Sequence, residues 1–443
     1  MEYELTASVQ KEALRSLDQW ISVPSVLDED SVHTPFGDNI QHALEVAMET
    51  CQSLGMQTHI DEKGYYAYAE IGSGEKLLAI LCHLDVVPTG DETAWHFPPF
   101  ELNLADGKLY GRGTQDDKGP SVAALYGLKS LLDRGEKLNK RVRFIFGADE
   151  ETLWRCMERY NANEEQADYG FAPDSAFPLT FAEKGLLQLY LYGPGSVAIS
   201  LDVQHALNVV PDQAKYQGKD LDAIKASLEE IGANYEENGN GVTVIGKSIH
   251  AKDAPQGTNA LVQLAKALNE SNQHPMLEFI SKHFTKANGE DLFGEVEDEM
   301  SGGLTCNLAQ LSIDSKQSKL GIDMRIPVTA NKEALVAELE KVASEYELRY
   351  EEFDYLASLY VPEDSDLVQT LLKVYRELTG DDSKPMSSGG ATFARTMPNC
   401  VAYGACLPGV PMTEHQINEA MPLKNFYDAM EIYAQAIRAL AVD

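Results

Sequence analysis

The run Leu77-Leu78-Ala79-Ile80-Leu81-Cys82-His83 constrains this chain more than any other stretch. It is too short for a helix and shows no alternation of polar and apolar residues. It therefore suits a strand covered on both faces, as in a parallel sheet. Parallel strands need a crossover, and the sequence supplies one. Pro120 opens a helical stretch over 120–133 that continues Val122-Ala123-Ala124-Leu125, with proline in the first turn, where its missing N–H costs nothing. A second apolar strand, Arg141 to Ala148, follows. Strand, helix, strand is the pattern of an α/β sheet flanked by helices.

Further along, the texture changes twice. Leu14, Leu17 and Ile21 lie at helical spacing, and residues 39–54 carry Ile40, Ala43, Leu44, Ala47 and Met48 on one face. From about Leu186 short alternating segments appear (LLQLYLY, VAISLDV, VTVIGK, LGIDMRI), with helical stretches at 258–270 and 331–346. This is α+β, an antiparallel sheet with helices on one face. After about Ser358 the first style returns, with a helix at 365–379, a strand at Cys400–Tyr403 and a closing helix from Leu423. A chain of 443 residues exceeds the ~250–300 at which one core stops growing. The reading is a discontinuous α/β domain with a mixed or parallel sheet (1–184 and 359–443), interrupted by an inserted α+β lid domain (185–358).

Charge narrows the function. With 36 Lys+Arg against 70 Asp+Glu the formal charge is −34, which repels phosphate backbones and anionic lipid. Nucleic acid and membranes are therefore not expected as partners. No uncharged apolar window of ~18 residues exists, and the start (MEYELTASVQ) shows no export signal. Six scattered cysteines without a CxxC read as reduced, mostly buried thiols of a cytoplasmic protein.

Chemistry gathers where strands end, because the sheet fixes the backbone while the following loop frees the side chain. His83-Leu84-Asp85 follows the first strand, and residues i and i+2 of an extended chain point the same way, so Asp85 can orient the imidazole. Asp116-Asp117 sits in a glycine-flanked loop before the 120–133 helix. Asp149-Glu150-Glu151 follows the 141–148 strand, Asp174 follows Tyr169-Gly170-Phe171, and His415 lies beyond the last strand. Three consecutive acids repel one another unless a cation offsets them. His83, Asp116, Glu151, Asp174 and His415 make two imidazoles and three carboxylates, a set suited to Zn²⁺, Mn²⁺ or Co²⁺. Five such ligands serve two ions if one carboxylate bridges, and a water can then lie between the ions with its pKa lowered toward ~7.

HLDVVPTG at 83–90, YGRGTQDDKGP at 110–120, ADEET at 148–152, FAPD at 171–174, GKSIHA at 246–251 and SSGGATFAR at 387–395 resemble, in order and spacing, the M20 family of metallopeptidases and deacylases. Within it the resemblance is to PepV-type bacterial dipeptidases, and it spans nearly the whole chain. It implies that His83, Asp116 and Asp174 hold one ion and Asp116, Glu151 and His415 the other, with zinc the expected metal and Asp116 bridging. It implies that Asp85 orients His83 and that Glu150 is the general base acting on the water between the ions. It also makes Asp116–Asp117 a candidate cis peptide. In the inserted domain, His250 matches an oxyanion-stabilising histidine. Asn208 and Arg325 match contacts to the scissile carbonyl and the substrate's terminal carboxylate, and Gly389 and Gly390 match backbone that approaches the same carboxylate.

The resemblance thus implies a dinuclear dipeptidase acting on small peptides as a monomer, since the long insert substitutes for a second subunit. An M20-type N-acyl-amino-acid deacylase or carboxypeptidase is the alternative reading, and an inactive binding paralogue a remote one. Two departures bear on substrate preference: Leu153-Trp154-Arg155 follows Glu-Glu-Thr where a glycine is usual, and His205-Ala206 occupies a stretch often rich in glycine.

Overall fold

Four parallel strands carry the first part of the molecule, in a computed structural model that describes residues 5–442. Arg141–Gly147, Leu77–His83, Tyr169–Ala172 and Cys400–Ala402 lie side by side in that order, each parallel to its neighbour. Every residue of Leu77–His83 is buried, as its unbroken apolar run requires. Outside Arg141–Gly147 the sheet turns antiparallel, adding Tyr66–Gly72 and then Gln57–Ile60; on its other side Thr180–Glu183 runs antiparallel to Cys400–Ala402. Because the four central strands share a direction, their C-terminal ends emerge along one edge of the sheet.

Helices Ala7–Ile21, Lys118–Asp133 and Leu423–Ala441 flank this sheet. The last buries Phe426, Ala429, Met430, Tyr433 and Ile437, the i, i+3, i+4 stripe of a core-facing helix. It approaches Lys118–Asp133 so closely at Gly127 that a Cβ there would lie 2.9 Å from the Met430 carbonyl and 3.0 Å from the Ala434 nitrogen. Helix Asp366–Thr379 starts on Ser365, whose side chain accepts the Val368 N–H, and stops at Gly380 in the left-handed region.

Packing divides the chain into two compact units. One runs from the N-terminal part through Phe181 and includes Tyr360–Met386 and the chain from Thr392 onward; the other is Ala182–Leu359 with Ser387–Ala391. The second unit has a five-stranded antiparallel sheet in the order Leu201–Gln204, Thr305–Ile313, Gln317–Ile326, Gly185–Pro194, Arg349–Leu356. Strand Gly185–Pro194 alternates strictly: Leu187, Leu189 and Leu191 are fully buried while Gln188, Tyr190 and Tyr192 are not. Helices Ala260–Ser271, Pro275–His283 and Lys332–Ser344 complete that core, the first and third capped by Asn259 and Asn331.

All six cysteines are buried and unpaired. Among the described residues no helix is long and apolar enough to cross a membrane.

Candidate metal centre

The ends of three parallel strands and two loops bring five side chains together in the first unit. His83 ends its own strand; Asp174 follows Ala172 by two residues, and Glu151 follows Gly147 by four. Asp116 precedes the helix beginning at Lys118, and His415 stands in the loop after Ala405–Cys406. His83 Nε2 lies 2.8 Å from Asp116 Oδ1 and 3.7 Å from Asp174 Oδ2. His415 Nε2 lies 2.9 Å from Asp116 Oδ2 and 3.0 Å from Glu151 Oε2. The five thus form two triads, His83–Asp116–Asp174 and Asp116–Glu151–His415, each with its ligand atoms within 4.8 Å of one another. Asp116 is common to both and offers a different oxygen to each histidine.

Asp85 has a different geometry from the one its position suggests. His83 Nδ1 is 3.0 Å from the Asp85 backbone carbonyl and 3.5 Å from its carboxylate, so the carbonyl is the nearer acceptor. The carboxylate instead accepts the Glu151 N–H at 3.0 Å and so ties two ligand-bearing turns together. With Nδ1–H donating to the carbonyl, Nε2 is left to face the acids. The Asp116–Asp117 peptide is cis. The Asp117 carboxylate turns away from the triads, accepting from Ser121 Oγ (2.8 Å) and the His83 N–H (3.2 Å).

Burial and mutual proximity set the electrostatics of the cluster. Burial raises the Glu151 carboxyl and the Asp116 charge raises it further, to about 7 despite its bond to His415. Burial likewise lifts Glu150 and Asp174 well above the ordinary carboxyl range, with neighbouring acids adding and the His83 charge opposing. Asp116 is also buried, but its bonds from His415 and His83 outweigh that and hold it low. The imidazoles move the other way: burial would lower both, yet their carboxylate partners raise His83 well above its usual value and His415 to about 11. Glu151 Oε1 is in addition a buried carboxylate oxygen without a hydrogen-bond partner. The oxygen- and imidazole-rich donor set, the shared carboxylate and this orphaned oxygen all fit divalent cations.

Sequence reasoning missed what holds the loop of Asp116. Glu419 is fully buried. Its carboxylate accepts from the backbone N–H groups of Gly113 (3.1 Å), Gln115 (2.8 Å) and Asp116 (3.2 Å) and from Arg112 Nη1 (2.8 Å). Gln115 reaches the other way: its Oε1 accepts the Thr413 N–H at 2.7 Å, and its Nε2 donates to the carbonyls of Pro411 and Ala420, both at 2.9 Å. Gly119 packs against Thr114 with no room for a Cβ, its N–H reaching the Gly113 carbonyl at 2.9 Å.

The residues expected of the inserted domain gather in the second unit. Val209 and His250 form an antiparallel bridge, and Asn208 accepts the Ala251 N–H through its carbonyl at 2.8 Å. Buried Asn307 holds that turn by donating to the carbonyls of Leu207 and Val209, both at 2.8 Å. Arg325 is 3% exposed; Asp323 takes its Nε (2.6 Å) and Nη2 (3.0 Å), and the Gly389 carbonyl takes Nη1 (2.9 Å). Gly389 abuts Lys252, whose Cβ would lie 2.7 Å from an added Cβ, and the Gly390 N–H rests on Ser388 Oγ at 2.9 Å. His250 Nδ1 accepts the Lys252 N–H at 3.1 Å, so the ring's proton resides on Nε2. Desolvation, then the charges of Arg325 and Lys252, lower its pKa to about 4 and keep it neutral.

Comparison with known proteins places this arrangement. The model described as Peptidase family M20/M25/M40 matches residues 79–439. The chain belongs to the M20 peptidase family. This M20 peptidase is 35% identical to the Bacillus subtilis protein named "Putative dipeptidase YtjP", over 100% of both chains. Its fold is similar to that of the di-peptidase Dug1p from Saccharomyces cerevisiae (TM-score 0.64, 15% identity, 98% of this chain and 96% of that one). It is also similar to that of the Bacillus subtilis YXEP protein, described as a dinuclear metal binding peptidase (TM-score 0.53, 12% identity, 97% and 98%). The M20 peptidase is accordingly a hydrolase acting on peptide bonds.

Proposed function

We propose that this M20 peptidase is a dipeptidase that hydrolyses short peptides at two divalent ions, most readily Zn²⁺ with Mn²⁺ or Co²⁺ as substitutes. His83, Asp116 and Asp174 would hold one ion, and Asp116, Glu151 and His415 the other. The observation that carries this reading is the shared carboxylate: Asp116 faces one histidine with each oxygen, at 2.8 and 2.9 Å. The name of the Bacillus subtilis relative and the description of the YXEP fold neighbour support it.

Bound there, divalent ions would supply Lewis acidity: they would lower the pKa of the attacking water toward ~7 and polarise the scissile carbonyl. The protein's own groups do the rest. Glu150, next in sequence to a ligand, takes the proton of the attacking water and returns it to the leaving amine. His250 offers an Nε2–H to the tetrahedral oxyanion, a neutral donor whose tautomer is set by the Lys252 N–H. Arg325, fixed by Asp323 and Gly389, binds the terminal carboxylate, which selects short peptides with a free C-terminus. Asn208 addresses the scissile carbonyl, and Gly389 and Gly390 let backbone approach the terminal carboxylate. The reading includes a monomer working in the cytoplasm, where six buried free thiols suit a reducing compartment.

The test is a panel of dipeptides, tripeptides and N-acetyl amino acids, assayed after chelation and after adding back each metal separately. Dipeptide hydrolysis that vanishes on chelation and returns with Zn²⁺, Mn²⁺ or Co²⁺ is the expected result. Preference for N-acetyl amino acids would replace the dipeptidase with a deacylase, and activity indifferent to chelation would remove the ions.

A further inference from the structure

We infer that Gln115 and Glu419 act as a reciprocal clamp that ties the His415 segment to the Asp116 loop, so that the ion needing His415 depends on the clamp far more than the ion held through His83 and Asp174; this rests on the two-ion reading. Gln115 precedes Asp116 by one residue, and Glu419 follows His415 by four. Each side chain grips the other's segment. Glu419 collects three N–H groups of the Asp116 loop, and Gln115 makes three hydrogen bonds along 411–420. A backbone bond from the Gly111 N–H to the Glu419 carbonyl (3.1 Å) and another from the Ala420 N–H to Thr413 Oγ1 (3.0 Å) close the arrangement.

The asymmetry follows from what else holds each ligand. His83 and Asp174 are fixed by strands that pair in register, Ile80 opposite Phe171. His415 has no strand beneath it and is 53% exposed with φ +61°, a region disfavoured for a side chain with a Cβ. Its placement therefore depends on the clamp, whereas the sheet places His83 and Asp174. The negative charge of Glu419 is matched by Arg112, whose guanidinium lies over the Trp95 ring (5.2 Å) and donates to the Pro88 carbonyl (3.2 Å). Neither Gln115 nor Glu419 is among the residues of the two triads. They are positioning residues.

The experiment titrates Zn²⁺ alone into chelator-stripped full-length chain, with competition against a chromophoric chelator, and follows kcat and KM in parallel. Gln115→Ala should weaken one of two Zn²⁺ equivalents by ~10–100-fold, as removing an outer partner of a ligand does, and leave the other unchanged. kcat should fall and recover at high Zn²⁺, with KM little altered. In a His83→Ala background the substitution should weaken the remaining ion; in a His415→Ala background it should change nothing further. Thr413→Ala, which removes the Oγ1 that accepts the Ala420 N–H within the His415 segment and leaves the Asp116 loop untouched, provides a second variant should Gln115→Ala fold poorly, and its selective loss should be the same. Equal weakening of both equivalents, or no weakening in a variant with a normal unfolding midpoint, would overturn the clamp. Failure of the unsubstituted chain to take up two equivalents would instead defeat the two-ion reading itself.

Discussion

The two triads of the proposed metal centre are built on different principles. His83 and Asp174 stand at the ends of adjacent parallel strands, and His83 is 1% exposed. His415 stands on a loop, 53% exposed, in a left-handed backbone conformation. One half inherits its geometry from the sheet, whose register is fixed by burial on both faces. The other is assembled by side-chain-to-backbone hydrogen bonds between segments about 300 residues apart in sequence. A fold can thus supply a rigid half-site from topology alone, while its complement needs dedicated residues that never touch the reacting atoms.

The difference can be broken outright. Asp116→Ala removes the one ligand common to both triads, so both ions should be lost and turnover should drop by more than the ~10²–10⁴-fold that a general base contributes. Metal analysis per chain checks the first claim; a variant retaining one full equivalent would show that the halves do not share Asp116. Glu150→Gln should lower kcat by ~10²–10⁴-fold with metal content unchanged, separating chemistry from ion binding. Loss of metal in that variant would make Glu150 a ligand instead.

Exposure sharpens the contrast next. Imidazole added to His415→Ala should restore part of its activity, because the site it must enter is open, while His83→Ala should stay inert in a buried position. Equal rescue of both would erase the distinction. The smallest effect concerns the support beneath the shared aspartate. Lys118 is fully buried, donates to the Trp20 (2.9 Å) and Val23 (2.8 Å) carbonyls, and has its pKa lowered from 10.5 to about 7, by burial. Between pH 7 and 10.5 the unfolded chain holds a proton that the folded chain has released. Stability relative to Lys118→Met should therefore rise with pH across that window, by at most about 1.4 kcal/mol per pH unit. Denaturant midpoints at pH 7, 8.5 and 10 measure it, and a flat or falling difference would contradict the shift.

Much of this was legible in the sequence for identifiable reasons. Strand Leu77–His83 was readable because burial on both faces leaves an unbroken apolar run, and helix Lys118–Asp133 because Pro120 marks its first turn. The five members of the triads stood out as polar residues just beyond apolar strands or in glycine-flanked loops. The edge strand Gln57–Ile60 and its inner neighbour Tyr66–Gly72 were missed, since both mix polar and apolar residues with little pattern. Glu419 was missed for a deeper reason. It lies within a segment already singled out for His415, but its partners are backbone N–H groups, which carry no sequence identity. Arg325 was read as a contact to the substrate's terminal carboxylate; that Asp323 engages its Nε and Nη2 left no signature in the sequence. For Asp85, spacing predicts a neighbour of His83 without naming the atom, because a carbonyl and a carboxylate of one residue cannot be told apart from spacing; the carbonyl is the nearer.

The burial of every native thiol has a practical side. Desolvation pushes all six to high pKa, so little thiolate is available to react at neutral pH. A single cysteine introduced on an exposed helix of either unit would thus be the only fast-reacting sulfur in the molecule. Spin labels or fluorophores can then be attached site by site, with no native residue removed, and the distance between the units followed in solution as substrate is added.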